Sequence, residues 1–259
     1  MGPIRAMLLP GAVLPAQRAY GALIEALGPD VDAAAKDLEL YAGEDPPPGW
    51  SLDTEVDGVL READARGWAT FHLAGYSGGG AAALAVAAGH PERLLSLSLF
   101  EPAWAGTWDW SRAHALMWEK HDALEALPAD QFLPAFMRLA VKPDVVLPPP
   151  PAGDPPPWMA RRPAGIMAFL KNFRSYNLDR ARLASFDRPV LFVLGGLSNP
   201  DNYEETGARL STVFPDYRLE VFEVRHHFDP PHRIEPDRLA GLLRVHWDRA
   251  EIRHRADLL

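Results

Sequence analysis

Gly75-Tyr76-Ser77-Gly78-Gly79 spells G-x-S-x-G between a strand-like run at 69–74 and a helix of small residues at 80–88. A serine on a sharp strand-to-helix turn sits in a strained backbone with its hydroxyl raised above the sheet, the placement a nucleophile needs. Glycines two residues before and two after it are required because side chains there would collide with the neighbouring strand and helix. The amide of Gly78, at the positive end of the helix, then points toward a developing oxyanion.

A serine nucleophile needs a base. Nine histidines are available, and the informative cluster is Arg225-His226-His227-Phe228-Asp229-Pro230-Pro231-His232. It follows a last candidate strand at 217–223 and precedes a last helix at 235–249, so its loop emerges on the sheet edge that carries Ser77. His227 is the favoured base, ahead of His226, with His232 structural. The same cluster has the residue types of a metal site, but its prolines leave no recognised ligand spacing, and no metal is expected.

These groups must be positioned by a sheet. Apolar runs at 4–9, 37–41, 69–74, 95–100, 189–194 and 217–223 alternate with helical stretches near 16–27, 51–66, 79–89, 201–214 and 235–249. That rhythm predicts an α/β fold, a mostly parallel sheet of about six strands covered by helices on both faces, with ligands at the edge where the strands end. The rhythm breaks at 104–185, where helical patterns near 111–127, 129–140 and 163–177 flank a proline run at 147–157. The last of them carries Ile166, Phe169, Leu170 and Phe173 at i, i+3, i+4, i+7. The reading is a core of 1–103 and 186–259 with a helical cap at 104–185, its proline-rich segment an extended loop. The cap and its entry are rich in aromatics, most of them packing and a minority lining an apolar pocket. Tyr76, Trp104 and Trp108 are assigned to the substrate side.

Composition narrows the partners. A formal charge of -9 disfavours nucleic acid and anionic membranes. The absence of cysteine excludes disulfides, thiolate catalysis and cysteine-based zinc sites. The first ten residues read as a strand rather than a signal peptide, and no apolar run reaches membrane-spanning length. A cytoplasmic protein is expected, and the heavy use of Ala, Arg and Pro suggests a bacterial source. Oligomeric state is not legible.

Leu8-Leu9-Pro10-Gly11-Ala12 after the first strand, the Gly75–Gly79 elbow and His227 before the last helix together resemble the α/β-hydrolase fold superfamily, of the capped serine hydrolase or esterase type. The resemblance implies a second oxyanion donor after the first strand, the amide of Ala12 or Val13. It also implies an acid after the strand at 189–194, where this chain has Gly195-Gly196-Leu197-Ser198-Asn199-Pro200-Asp201. Asp201 falls at a helix start, where capping explains it. Some relatives carry the acid one strand earlier, and here that strand ends in Glu101. Glu101 is therefore the expected acid, with Asp201 and Asn199 as alternatives; a pairing of Glu101 with Arg161 or Arg162 is the competing structural role. The implied activity is hydrolysis of a small to medium, fairly apolar ester, lactone or thioester through an acyl-enzyme on Ser77, with no cofactor. Serine at the elbow sets the chain apart from dehalogenases and epoxide hydrolases, which carry Asp there. Carbon–carbon bond hydrolysis and a non-hydrolytic binding or biosynthetic role on the same fold stay open.

Overall fold

The computed structural model describes residues 3–149 and 154–257. Met1 and Gly2 of the N-terminal segment, and Pro150, Pro151, Ala152 and Gly153 of the proline run, lie outside the described residues.

Six strands form one sheet: β1 (Ile4–Leu9), β2 (Val31–Ala35), β3 (Phe71–Tyr76), β4 (Leu94–Phe100), β5 (Val190–Gly195) and β6 (Tyr217–Phe222), in the order β2-β1-β3-β4-β5-β6. Every neighbouring pair is parallel. A parallel sheet needs both faces covered, so its central strands read as continuous apolar runs. Leu94-Leu95-Ser96-Leu97-Ser98-Leu99-Phe100 is buried at every position, as is all of β5.

The helices are α1 (Ala16–Leu27), α2 (Leu52–Ala65), α3 (Gly78–Gly89), α4 (Arg112–Asp122), α5 (Ala129–Leu139), α6 (Arg162–Ser175), α7 (Arg180–Ala184), α8 (Glu205–Ser211), α9 (Pro231–Ile234) and α10 (Pro236–Asp257). Tyr20 and Leu23 of α1 join Leu239, Leu243 and Trp247 of α10 in the core on one face. The other core holds Val56 and Val59 of α2 with Ala81 to Ala88 of α3. The chain leaves β1 toward β2 on one side and returns on the other as β3. The strand order therefore switches direction between β1 and β3, and ligands settle outside the strand ends at such a point. Ala12 follows β1 there and Ser77 follows β3.

One expected strand is corrected. Residues 37–41 hold a single 3₁₀ turn (Glu39–Tyr41), and the edge strand is Val31–Ala35. The cause is Glu55, whose carboxylate accepts the amides of Glu39 and Leu40 at 2.8 Å each and draws that backbone away from the sheet. The expected helix at 201–214 opens as a π-helical turn (Pro200–Glu204) before α8, and the last helix continues to Asp257.

Between β4 and β5 the described residues form helices, α4 to α7, and contribute no strand to the sheet. Ile166, Phe169, Leu170 and Phe173 make the buried face of α6, as their spacing requires. Phe169 lies directly over the elbow: a Cβ added to Gly78 would stand 2.9 Å from its ring. Among the described residues no helix is long and apolar enough to cross a membrane.

Candidate active site

Ser77 is the single residue between β3 and α3, with φ 53° and ψ −118°. A residue other than glycine is strained there, and the strain persists only where the surroundings over-determine it. They do so here. Ser77 N–H donates to Phe100 C=O at 3.1 Å and its own carbonyl accepts from Ala103 N–H at 2.9 Å, tying the turn to the end of β4. A Cβ on Gly75 would run into the carbonyl of Gly79, and one on Gly79 would stand 2.5 Å from the carbonyl of Pro10. Only glycine lets strand and helix approach this closely.

His227 follows β6. Its Nε2 is 3.1 Å from Ser77 Oγ and its Nδ1 is 3.0 Å from Glu101 Oε2. The second carboxylate oxygen of Glu101 accepts the amide of Gly195 at 2.8 Å. A carboxylate beside Nδ1 places the proton on that nitrogen, which leaves Nε2 to accept from the serine hydroxyl. All three side chains are buried, with Ser77 6 % and His227 1 % exposed. Glu101 shares with Ser77 a positive φ, 46°, at the end of β4. The histidine is fixed from several sides. Tyr76 Oη donates to the His227 carbonyl, and the rings of Tyr76 and Tyr203 lie 4.8 and 4.5 Å from the imidazole.

The rival residues are placed elsewhere. Asn199 caps the turn after β5, its Oδ1 accepting from Asp201 N–H at 3.0 Å and its Nδ2 donating to Leu139 C=O at 2.7 Å. Asp201 is exposed, and its carbonyl accepts from His114 Nδ1 at 2.7 Å. Arg161 donates to Gly43 C=O, and Arg162 lies 3.9 Å over the Tyr41 ring, so neither pairs with Glu101. His226 accepts the Phe228 amide at 3.2 Å. His232 is caged by Tyr20, Tyr76 and Phe100, and burial drives its pKa down to about 3. A second Ser–His–Glu grouping exists: Ser96 Oγ lies 2.8 Å from His72 Nδ1, and Glu251 lies 3.6 Å from Nε2. Ser96 is fully buried beneath α10, so no substrate reaches it.

No protein-family model and no curated protein matches the sequence. Solved structures do. A bacterial membrane phospholipase A superposes with a TM-score of 0.71 at 19% identity, over 96% of this chain and 80% of that one. A haloalkane dehalogenase from Bradyrhizobium elkanii gives 0.68 at 15% identity, over 98% and 92%. An esterase from Thermogutta terrifontis gives 0.67 at 18% identity, over 96% and 92%. The chain has the α/β-hydrolase fold. An esterase and a haloalkane dehalogenase cleave different bonds on this one architecture, so function must be argued from the site.

In this α/β-hydrolase fold a cavity of ≈ 30 Å³ opens above Ser77. Ala12 and Gly78 form its floor, and among the described residues neither of their amides donates to a protein acceptor. The walls come from the insertion, chiefly Trp118, Phe136, Ile166, Phe169 and Phe173. Tyr76, Trp104 and Trp108 are not among the residues that line it. Trp104 stacks on the far face of the wall as a partner of Phe173, centroids 5.2 Å apart. Trp108 packs over Gly106, and Tyr76 sits behind His227. Three polar lining residues, His121, Asn202 and Tyr203, carried no sequence signal. Two of them fall in what reads as an ordinary helix start. Among the described residues no group of three or more His, Cys, Asp or Glu is placed to hold a metal ion.

Proposed function

We propose that this protein is a serine hydrolase of short, fairly apolar carboxylic esters. The observation that supports it is the continuous hydrogen-bond chain Ser77–His227–Glu101, ending beneath a cavity floored by two disengaged amides. Ser77 Oγ attacks the acyl carbon while His227 Nε2 takes the hydroxyl proton. Glu101, held by Gly195, stabilises the imidazolium. The oxyanion is received by the amides of Gly78 and Ala12, the former at the positive end of α3. His227 then returns the proton to the leaving alcohol. Water attacks the acyl-enzyme with His227 as base, and the acid departs with Ser77 restored. No cofactor or metal enters this reading.

The cavity of ≈ 30 Å³ is narrow and walled by aromatic side chains, which favours a short acyl group. The test is covalent. Incubation with a fluorophosphonate, read by intact mass, is expected to give one adduct on the wild type and none on Ser77→Ala. An unlabelled wild type would overturn the reading. A p-nitrophenyl ester series is expected to show kcat/KM falling beyond acyl chains of about four carbons.

A further inference from the structure

Besides Tyr203, which packs on the His227 ring, two polar side chains line the apolar cavity without a part in the Ser77–His227–Glu101 chain. His121, on α4, is 6 % exposed, with Nδ1 3.1 Å from Met117 C=O. A carbonyl accepts only from N–H, so Nδ1 carries the proton. Burial lowers the pKa of His121 to about 4. The ring is therefore neutral at pH 7, and Nε2 keeps its lone pair with no protein partner among the described residues. Asn202, in the turn after β5, is 3 % exposed, and its Oδ1 is buried without a partner among the described residues. Burying a polar atom without a partner is costly, and a ligand donor that reached this atom from the cavity its residue lines would relieve that cost.

The two are held in one frame. His114 Nδ1 donates to Asp201 C=O at 2.7 Å, and His114 Nε2 accepts from Trp118 Nε1 at 3.0 Å. That relay fastens the helix bearing His121 to the turn bearing Asn202. Both free atoms are acceptors, so the complementary group is a donor. An ammonium would be buried beside neutral residues, with Glu101 already committed to His227 and Gly195. A hydroxyl brings one donated proton without a charge, enough for one of the two acceptors at a time.

We propose that Asn202 and His121 form a hydroxyl-binding subsite, and that the substrate is an ester of a short hydroxy acid whose hydroxyl donates to Asn202 Oδ1. This rests on the hydrolase reading above and names its substrate class. The test compares ethyl butyrate, ethyl 3-hydroxybutyrate and ethyl 3-oxobutyrate by pH-stat. The hydroxy ester is expected to exceed the plain ester in kcat/KM by about tenfold or more. The oxo ester, of similar shape but without a donor, should do no better than the plain one. In Asn202→Leu the hydroxy-to-plain ratio should fall to within about twofold of one. A ratio within one preparation does not depend on how much of it is folded, and the wild-type ratio needs no variant. A wild-type ratio of about threefold or less, with butyrate hydrolysis still abolished by Ser77→Ala, overturns the subsite and leaves the hydrolase standing. No turnover of any ester, together with no fluorophosphonate adduct, overturns both.

Discussion

Tyr203 lies almost flat on the imidazole of His227, with ring centroids 4.5 Å apart and 16° between the planes. Tyr76 packs at 4.8 Å, tilted by 33°, so the base is held by two phenol rings. The face of a phenol ring is electron-rich and favours an adjacent cation. In the proposed mechanism Tyr203 would stabilise the imidazolium as it forms, and its packing restricts the rotamers of His227. Tyr203→Phe keeps the face and should stay within about threefold of wild type in kcat/KM, while Tyr203→Leu should fall about 10- to 100-fold. Steady-state ester hydrolysis decides between them. If Phe loses as much as Leu, the hydroxyl and not the ring is what matters.

Glu101 should be indispensable and Asp201 dispensable. Glu101→Gln keeps an oxygen for the Gly195 amide but removes the charge and can present an N–H to His227, which inverts the tautomer. A drop in kcat of about 10³- to 10⁴-fold is expected. Asp201 engages through its backbone, its carbonyl accepting from His114 and its amide donating to Asn199, so Asp201→Asn should remain within about twofold. Comparing the two variants on one ester at pH 8 gives the answer, and the reverse ranking would remove Glu101 from the mechanism.

The contrast explains what the sequence could carry. The elbow is legible because its constraint is local: Gly75, Ser77 and Gly79 meet within five residues. The sheet is legible because burial on both faces leaves continuous apolar runs such as β4 and β5. The acid is harder, since what fixes Glu101 is the Gly195 amide, 94 residues away on the neighbouring strand. The segment at 37–41 alternates like a strand, yet it is captured by Glu55 from another element. Counting aromatics could not separate Phe173, on the cavity wall, from Trp104 stacked behind it. His121 and Asn202 gain meaning only once α4 and the turn after β5 are brought together.

Strain at the elbow should be measurable. The φ 53°, ψ −118° of Ser77 mirrors extended backbone and is free of strain only for glycine. Holding an L residue there costs about 1–3 kcal/mol. Ser77→Ala removes the nucleophile and keeps the strain, whereas Ser77→Gly removes both, less about 0.5–1 kcal/mol for the added freedom of the unfolded chain. Both variants should be inactive, with Ser77→Gly more stable than Ser77→Ala by about 1 kcal/mol, or roughly 2–4 °C in Tm for a domain of this size. Calorimetry of the pair isolates the backbone contribution. A Tm for the glycine variant at or below that of the alanine variant would show the turn to be unstrained.

His232 sets a pH dependence whose sign follows from its burial. The ring is 1 % exposed and neither nitrogen has a partner among the described residues. Burial lowers its pKa from 6.5 to about 3. Between those values the unfolded chain binds a proton that the folded chain refuses, so unfolding is favoured as the pH falls. Its contribution to stability is complete above pH 6.5 and is lost progressively toward pH 3. From pH 7 to pH 5 the loss attributable to this one ring is about 2 kcal/mol. Phenylalanine fits the cage of Tyr20, Tyr76 and Phe100 and takes no proton. His232→Phe should therefore lose about 2 kcal/mol less than wild type over that interval, measured by urea unfolding at the two pH values. An unchanged difference would mean that His232 is protonated, or solvated, in the folded protein.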